Sequence, residues 1–195
     1  MSIIIWTGRP GTGKTYSLVR ECIKLLNRGE IVYSNFKINW DGYKEKKTWW
    51  KKLLFKIGIK KEWKEYPASN LRGWTHLHEW EDMKNCYIAC DEAHFYFNSR
   101  QWKNLSMEFM RKVAQHRKDG IHVIGTVQNI RRIDVIVREL VDFWYECSIF
   151  LGFVINVEYD IDEDQQKKRP LSKKFFRMKK KWASKTYDTL EKIGE

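Results

Sequence analysis

Eight residues near the N-terminus constrain this chain more than any other feature. Gly8-Arg9-Pro10-Gly11-Thr12-Gly13-Lys14-Thr15 fills every fixed position of the pattern G-x-x-x-x-G-K-[ST]. The pattern binds phosphate only where a strand delivers the loop and a helix leaves it. Residues 2–6 are β-branched and aromatic, the mark of a buried strand. Residues 15–27 place Leu18, Cys22, Leu25 and Leu26 on one helical face, stopped by Gly29. In that setting the glycines let consecutive N–H groups turn inward on a β-phosphate, and the positive helix end adds attraction. Lys14 is then expected to bridge the β- and γ-phosphates of ATP, and the Thr15 hydroxyl to ligand Mg²⁺. A Gly-rich turn that merely joins strand to helix is the plain alternative, but it would not need every fixed position.

A second half-site is expected at Tyr87-Ile88-Ala89-Cys90-Asp91-Glu92. An apolar strand that ends in two acids suits a Walker B element. Asp91 would hold the metal through water, and Glu92 would orient or deprotonate the attacking water. The second acid favours hydrolysis over simple phosphoryl transfer; a surface ion pair is its bland reading. The string continues as DEAH, but 195 residues cannot hold the second domain of a two-domain helicase, and no transporter-type LSGGQ signature is present. Gln128, ending a strand at 121–127, is a candidate γ-phosphate sensor or an ordinary strand-ending amide. Arg100, Arg111, Arg117 and Arg138 are candidate fingers reaching a neighbour's site. Arg117 is preferred, as the end of a helix beside the catalytic edge.

The rest of the chain alternates strands (31–36, 87–91, 121–127) with helices (74–84, 107–117, 134–140) and closes with a hairpin at 143–150 and 153–159. That order predicts an α/β fold with a mainly parallel central sheet and helices on both faces. Residues 1–165 would form this body, with an insertion at about 40–66 and a tail at 166–195.

Charge separates these parts. The chain has 37 basic and 25 acidic residues, net +12. Residues 44–64 hold nine lysines and two glutamates, and residues 167–185 hold ten basic residues and no acid, so the remainder is mildly acidic. Localised patches point to an anionic partner rather than to solubility alone. In the insertion, Trp49, Trp50, Leu53, Leu54 and Ile57 form an apolar stripe on a lysine-rich helix ended by Gly58. The stripe suits an anionic membrane surface or a membrane protein; docking onto the domain is the competing reading. In the tail, Phe175, Phe176 and Trp182 interleave with cations, which suits single-stranded DNA; packing of those aromatics on the body is the alternative.

Several classes are excluded. The longest apolar stretch, 147–157, has eleven residues, short of the ~20 that span a bilayer. The start MSIIIW lacks the basic region of a secretory signal. Four cysteines (22, 86, 90 and 147) therefore read as reduced thiols. Cys86 and Cys90 share a strand face but stand about 13 Å apart, and His76 and His78 lack partners at ligand spacing, so no metal is expected beyond the nucleotide's Mg²⁺.

The sequence resembles the zonular occludens toxin family, which includes assembly ATPases of filamentous phages. The resemblance rests on GRPGTGKTY (8–16), RGEIVYSN (28–35), CDEAHFYF (90–97), QHRKDGIHVIGTVQ (115–128), IDVIVRELVD (133–142) and KTYDT (185–189). It implies a P-loop NTPase of the RecA- and FtsK/HerA-like class, whose members pump DNA, often as rings. By resemblance Gly8, Gly11, Gly13, Lys14 and Thr15 bind nucleotide, Asp91 and Glu92 serve metal and water, and Gln128 senses phosphate; Arg9, Pro10, Thr12 and Tyr16, which adjoin them in the same segment, are expected to line the nucleotide too, and Thr15 to share the metal with Asp91. Phage assembly members continue into a membrane span and an outer domain; this chain is expected to be the cytoplasmic motor portion, with the inner membrane face and the virion as alternative locations. The expected activity is ATP-driven DNA handling in virion assembly, extrusion or genome packaging by a homo-oligomer. A membrane-docked adaptor with a nucleotide switch and a small-molecule kinase are the rivals; the kinase lacks an evident lid. All of this requires Lys14 and the 91–92 pair to meet.

Overall fold

Strands buried on both faces must carry apolar side chains in both directions, and this chain's central strands do. The computed structural model describes residues 2–59, 62–98, 107–161 and 167–187. In order these form β1 (Ile3–Thr7), α1 (Lys14–Leu26), β2 (Val32–Ser34), β3 (Tyr43–Lys44), α2 (Trp49–Lys56), β4 (Glu65–Tyr66), β5 (Leu71–Gly73), β6 (Cys86–Cys90), α3 (Met107–Ala114), β7 (Ile121–Val127), α4 (Val135–Glu139), β8 (Phe143–Phe150), β9 (Phe153–Ile161), β10 (Lys167–Arg177) and α5 (Lys180–Thr186).

Eight strands make one sheet in the order β10-β9-β8-β1-β7-β6-β2-β5. The six from β8 to β5 pair in parallel, while β9 and β10 add antiparallel at one side. Ile3, Ile5, Ile88, Ile121 and Val123 face one buried cluster, shared with Val113 of α3 and Val137 of α4. Trp6, Ala89, Ile124, Cys147 and Val154 face the other, under Leu18, Val19, Cys22 and Leu26 of α1. Burying each of Leu18, Val19 and Leu26 stabilises by about 1.5–3 kcal/mol. Parallel strands with helices on both faces are therefore observed as expected.

Two elements differ from the sequence reading, and a third decides between two readings left open. Residues 74–84 form a short 3-10 segment, Leu77–Asp82, instead of an α-helix. Trp74 and Trp80 both enter the core and meet edge to face at 5.2 Å, whereas six residues along an α-helix they would point about 120° apart. The segment expected as a basic tail continues the sheet: β10 pairs with β9 from Phe153↔Arg177 to Ile161↔Lys167, with two register irregularities. Lysines on an edge strand discourage further strand pairing, so the same residues that suggested a solvated tail suit a sheet edge. Third, α2 buries no residue; its stripe is not docked on the domain. The ladder of β3 with β4 (Tyr43↔Tyr66, Lys44↔Glu65) closes the neck of this insertion.

Candidate nucleotide site

The loop between β1 and α1 needs backbone that only glycine supplies easily. Gly8, Gly11 and Gly13 have φ of +145°, +78° and +86°. A Cβ at Gly8 would stand 2.6 Å from Thr12 Oγ1 and 2.8 Å from the Cys147 carbonyl oxygen. Helix α1 then starts at Lys14 with no side-chain cap and no acid in its first turn, which leaves its first N–H groups to an anion. Lys14 is 5% exposed and its Nζ donates to the Arg9 carbonyl at 3.3 Å, folded back over the loop.

The sheet order puts the second half-site beside the first. β7 separates β1 from β6, and in a parallel sheet all three carboxyl ends lie on one edge. The loop following β1, Gln128 following β7, and Asp91 with Glu92 following β6 thus share that edge. Contact is direct: the Thr15 hydroxyl donates to both Asp91 carboxylate oxygens, at 3.2 and 3.0 Å. Lys14 meets the same acid electrostatically and helps hold it ionised. Burial pushes the Asp91 carboxyl above the usual range, against hydrogen bonds from Thr126 and Thr15 that pull it down. A hydroxyl and a carboxylate converging beside a phosphate loop form a hard, all-oxygen donor set, which fits Mg²⁺. Among the described residues no other cluster of His, Cys, Asp or Glu could hold a metal.

Glu92 occupies the left-handed region, φ 48° and ψ 51°. An L-residue in that conformation is strained, and such strain gathers at functional sites. Its Oε2 lies 3.2 Å from His94 Nδ1, and neither buried atom finds an aligned hydrogen bond. A buried carboxylate oxygen without a donor is costly unless something else, such as water, is to be bound there. Burial holds His94 below the ordinary imidazole value, Glu92 opposes this, and the charges of Arg132 and Lys14 add to it.

Three residues that sequence reasoning passed over complete the site. Asn35, at the end of β2, accepts from the Asp91 N–H at 2.8 Å and donates to the Asp91 carbonyl at 3.0 Å. Thr126 of β7, fully buried, donates to Asp91 Oδ1 and accepts from the Glu92 N–H at 3.0 Å. Arg132 donates to Gln128 Oε1 at 3.2 Å. The stretch RGEIVYSN contains Asn35, but nothing local marks it as a partner of Asp91.

Two expected site residues lie elsewhere. Tyr16 points away from the loop into the core, where its ring stacks on Phe176 at 5.9 Å and meets Trp182 edge to face at 5.2 Å. Its hydroxyl accepts from the Lys179 N–H at 3.2 Å. One step along α1 rotates a side chain by about 100°, so Tyr16 faces the sheet where Thr15 faces Asp91. Arg117 precedes β7 and binds Asp142, just before β8, at 2.6 Å. Asp142 also accepts from the Ile3 N–H at the start of β1. Arg117 therefore sits on the amino edge of the sheet, roughly 15–20 Å from the carboxyl edge, not beside the catalytic edge. Arg100 lies outside the described residues. Arg111 is exposed on α3, and Arg138 is half-buried on α4.

All four cysteines are free and buried. Burial raises the thiols, Cys86 to about 11 and Cys147 to about 12, which keeps them unreactive.

The sequence profile described as zonular occludens toxin (Zot) matches residues 2–190. The chain belongs to the zonular occludens toxin family. The chain is 28% identical over 141 residues to the Gene 1 protein of Enterobacteria phage I2-2 and 26% identical to that of Salmonella phage IKe. Each match covers 71% of this chain and 38% of the relative, so the chain spans well under half the length of these relatives. Among solved structures, the N-terminal domain of zonular occludens toxin from Neisseria meningitidis superposes with a TM-score of 0.61 at 19% identity, covering 96% of this chain and 98% of that one. The genome packaging NTPase B204 of Sulfolobus turreted icosahedral virus 2, solved with ATP-gammaS, superposes at 0.55 with 14% identity, covering 91% and 97%. These superpositions establish a shared P-loop NTPase fold. The family and fold expected from the motifs are the ones found.

Proposed function

We propose that this chain is the ATP-hydrolysing motor of a virus or mobile element that handles DNA during virion assembly, extrusion or genome packaging. The single observation that carries the reading is the bond from Thr15 to Asp91, which joins the phosphate loop to the acidic strand end at one edge of the sheet. The similarity to Gene 1 proteins from phages and the fold shared with a viral genome packaging NTPase support it. In this mechanism the loop N–H groups and Lys14 hold the triphosphate. Mg²⁺ held by Thr15 and Asp91 would offset charge on the β- and γ-phosphate oxygens. Glu92 takes the proton of a water that attacks the γ-phosphorus, and ADP departs with the bridging oxygen. Arg132 keeps Gln128 oriented at the middle strand end, where it reports the γ-phosphate. Purified protein is expected to turn over ATP, with Lys14→Ala and Glu92→Gln each losing at least a hundredfold. Full turnover in Glu92→Gln would remove the water-activating role, and full turnover in Lys14→Ala would remove the site.

The DNA contact we assign to β9 and β10 differs from the one the sequence suggested. Phe176 and Trp182 are occupied by Tyr16 and are not available to bases. Phe153 and Phe175 are exposed, with Arg177 opposite Phe153 in the ladder and Lys173 two residues from Phe175. Aromatics beside cations on an exposed strand suit single-stranded DNA. Each of Lys173→Ala and Arg177→Ala should reduce the salt slope of DNA binding by about one. Action as a homo-oligomeric ring at the cytoplasmic side of the host membrane, with a neighbour's arginine completing each site, belongs to the same proposal.

A further inference from the structure

An amphipathic helix ordinarily turns its apolar side toward the protein. Helix α2 does the reverse. Its back is held by its own neck: Lys51 pairs with Glu45 at 3.0 Å, Phe55 stacks on Trp63 at 5.8 Å, and Lys44 pairs with Glu65 at 2.6 Å across β3 and β4. Trp49, Trp50, Leu53, Leu54 and Ile57 then share an arc of roughly 140° at about 100° per residue on the other side. All five are exposed, Trp49 at 63% and Trp50 at 61%, and Ile59 just beyond the helix reaches 70%. Lys46, Lys47, Lys52 and Lys56 are exposed around them.

We infer that the β3–α2–β4 hairpin is a reversible anchor that lays this apolar arc into an anionic lipid surface, with its lysines over the headgroups. The chemistry selects that occupant. Tryptophan and leucine beside lysine suit the boundary between headgroups and acyl chains. A second copy of the hairpin would bring one +6 segment against another, which opposes self-pairing.

The test uses the full chain sedimented with vesicles of phosphatidylcholine alone and of phosphatidylcholine mixed equally with phosphatidylglycerol. The chain should partition at least tenfold better onto the anionic vesicles, and salt at about 0.5 M should weaken this. Trp50→Glu with Leu54→Glu should reduce partitioning tenfold or more. Lys52→Glu with Lys56→Glu should do the same, each lysine near the surface being worth roughly fivefold. Because α2 buries nothing, both double variants should keep the wild-type melting temperature and ATP turnover. Equal partitioning onto both vesicle types, or unchanged binding by either double variant, overturns the inference. So does a fall in oligomer mass in the apolar variant, which makes a second copy the occupant, or a loss of DNA binding with vesicle binding intact, which makes it nucleic acid.

Discussion

Asn35 holds the backbone of Asp91 from both sides, its Oδ1 accepting from the Asp91 N–H at 2.8 Å and its Nδ2 donating to the Asp91 carbonyl at 3.0 Å. The two residues end neighbouring strands, so this side chain locks the point where β6 delivers the acid to the phosphate loop. Asn35→Ala leaves a buried N–H without a partner, at a cost of about 1–3 kcal/mol. Denaturant unfolding should show that loss, and turnover should fall about tenfold. Asn35→Asp keeps the acceptor but removes the donor, and should fall between the two.

Gly8→Ala tests the loop itself. The added Cβ meets the Cys147 backbone at 2.8 Å, in a conformation with φ +145° that L-residues avoid. Stability should fall by about 3 kcal/mol, and nucleotide binding, followed by calorimetry, should weaken with it because the loop amides turn away.

Tyr16→Phe separates core from site. It removes the hydroxyl that accepts from Lys179 N–H and leaves the ring on Phe176. The expected result is a loss of about 1 kcal/mol with the KM for ATP unchanged. A raised KM would return Tyr16 to the nucleotide.

The two arginines should behave oppositely. Arg132→Ala frees Gln128 and should lower kcat tenfold or more. Arg117→Ala breaks an exposed pair on the far edge and should leave kcat unchanged, with a stability change under about 1 kcal/mol.

Stability should also depend on pH near neutrality. His122 Nδ1 accepts from the Ser2 N–H at 3.1 Å and its ring stacks on Tyr87, so the folded chain holds it neutral. Burial lowers it from the ordinary 6.5, the charge of His116 adds to this, and Asp142 opposes it. His94 is lowered too. The unfolded chain therefore binds more protons as pH falls through 6.5, so stability present above that value declines below it. Denaturant midpoints at several pH values should show this decline, and His122→Gln should flatten it.

How much of this was legible depended on distance along the chain. The phosphate loop, the acidic strand end and the β8–β9 hairpin are each contiguous, and each carries its own local signal: glycines at positive φ, an apolar run closed by acids, alternation interrupted at Gly152. β10 was hidden because an edge strand rich in lysine has the composition of a solvated tail. Tyr16 was assigned to the loop by adjacency, which helix geometry overrides within a single residue.

The amino-acid order by itself determined the phosphate loop, the family and the alternation of strand and helix, because those depend on neighbouring residues whose conformational preferences are local. Tertiary structure alone decided that Asn35 and Thr126 hold Asp91, that Arg117 stands on the wrong edge, and that the stripe of α2 faces outward. Each of those facts depends on which strands become neighbours in the sheet or on which side of a helix its own neck takes. Sheet order and docking are settled by the burial of the whole core, and no single stretch of sequence contains that information.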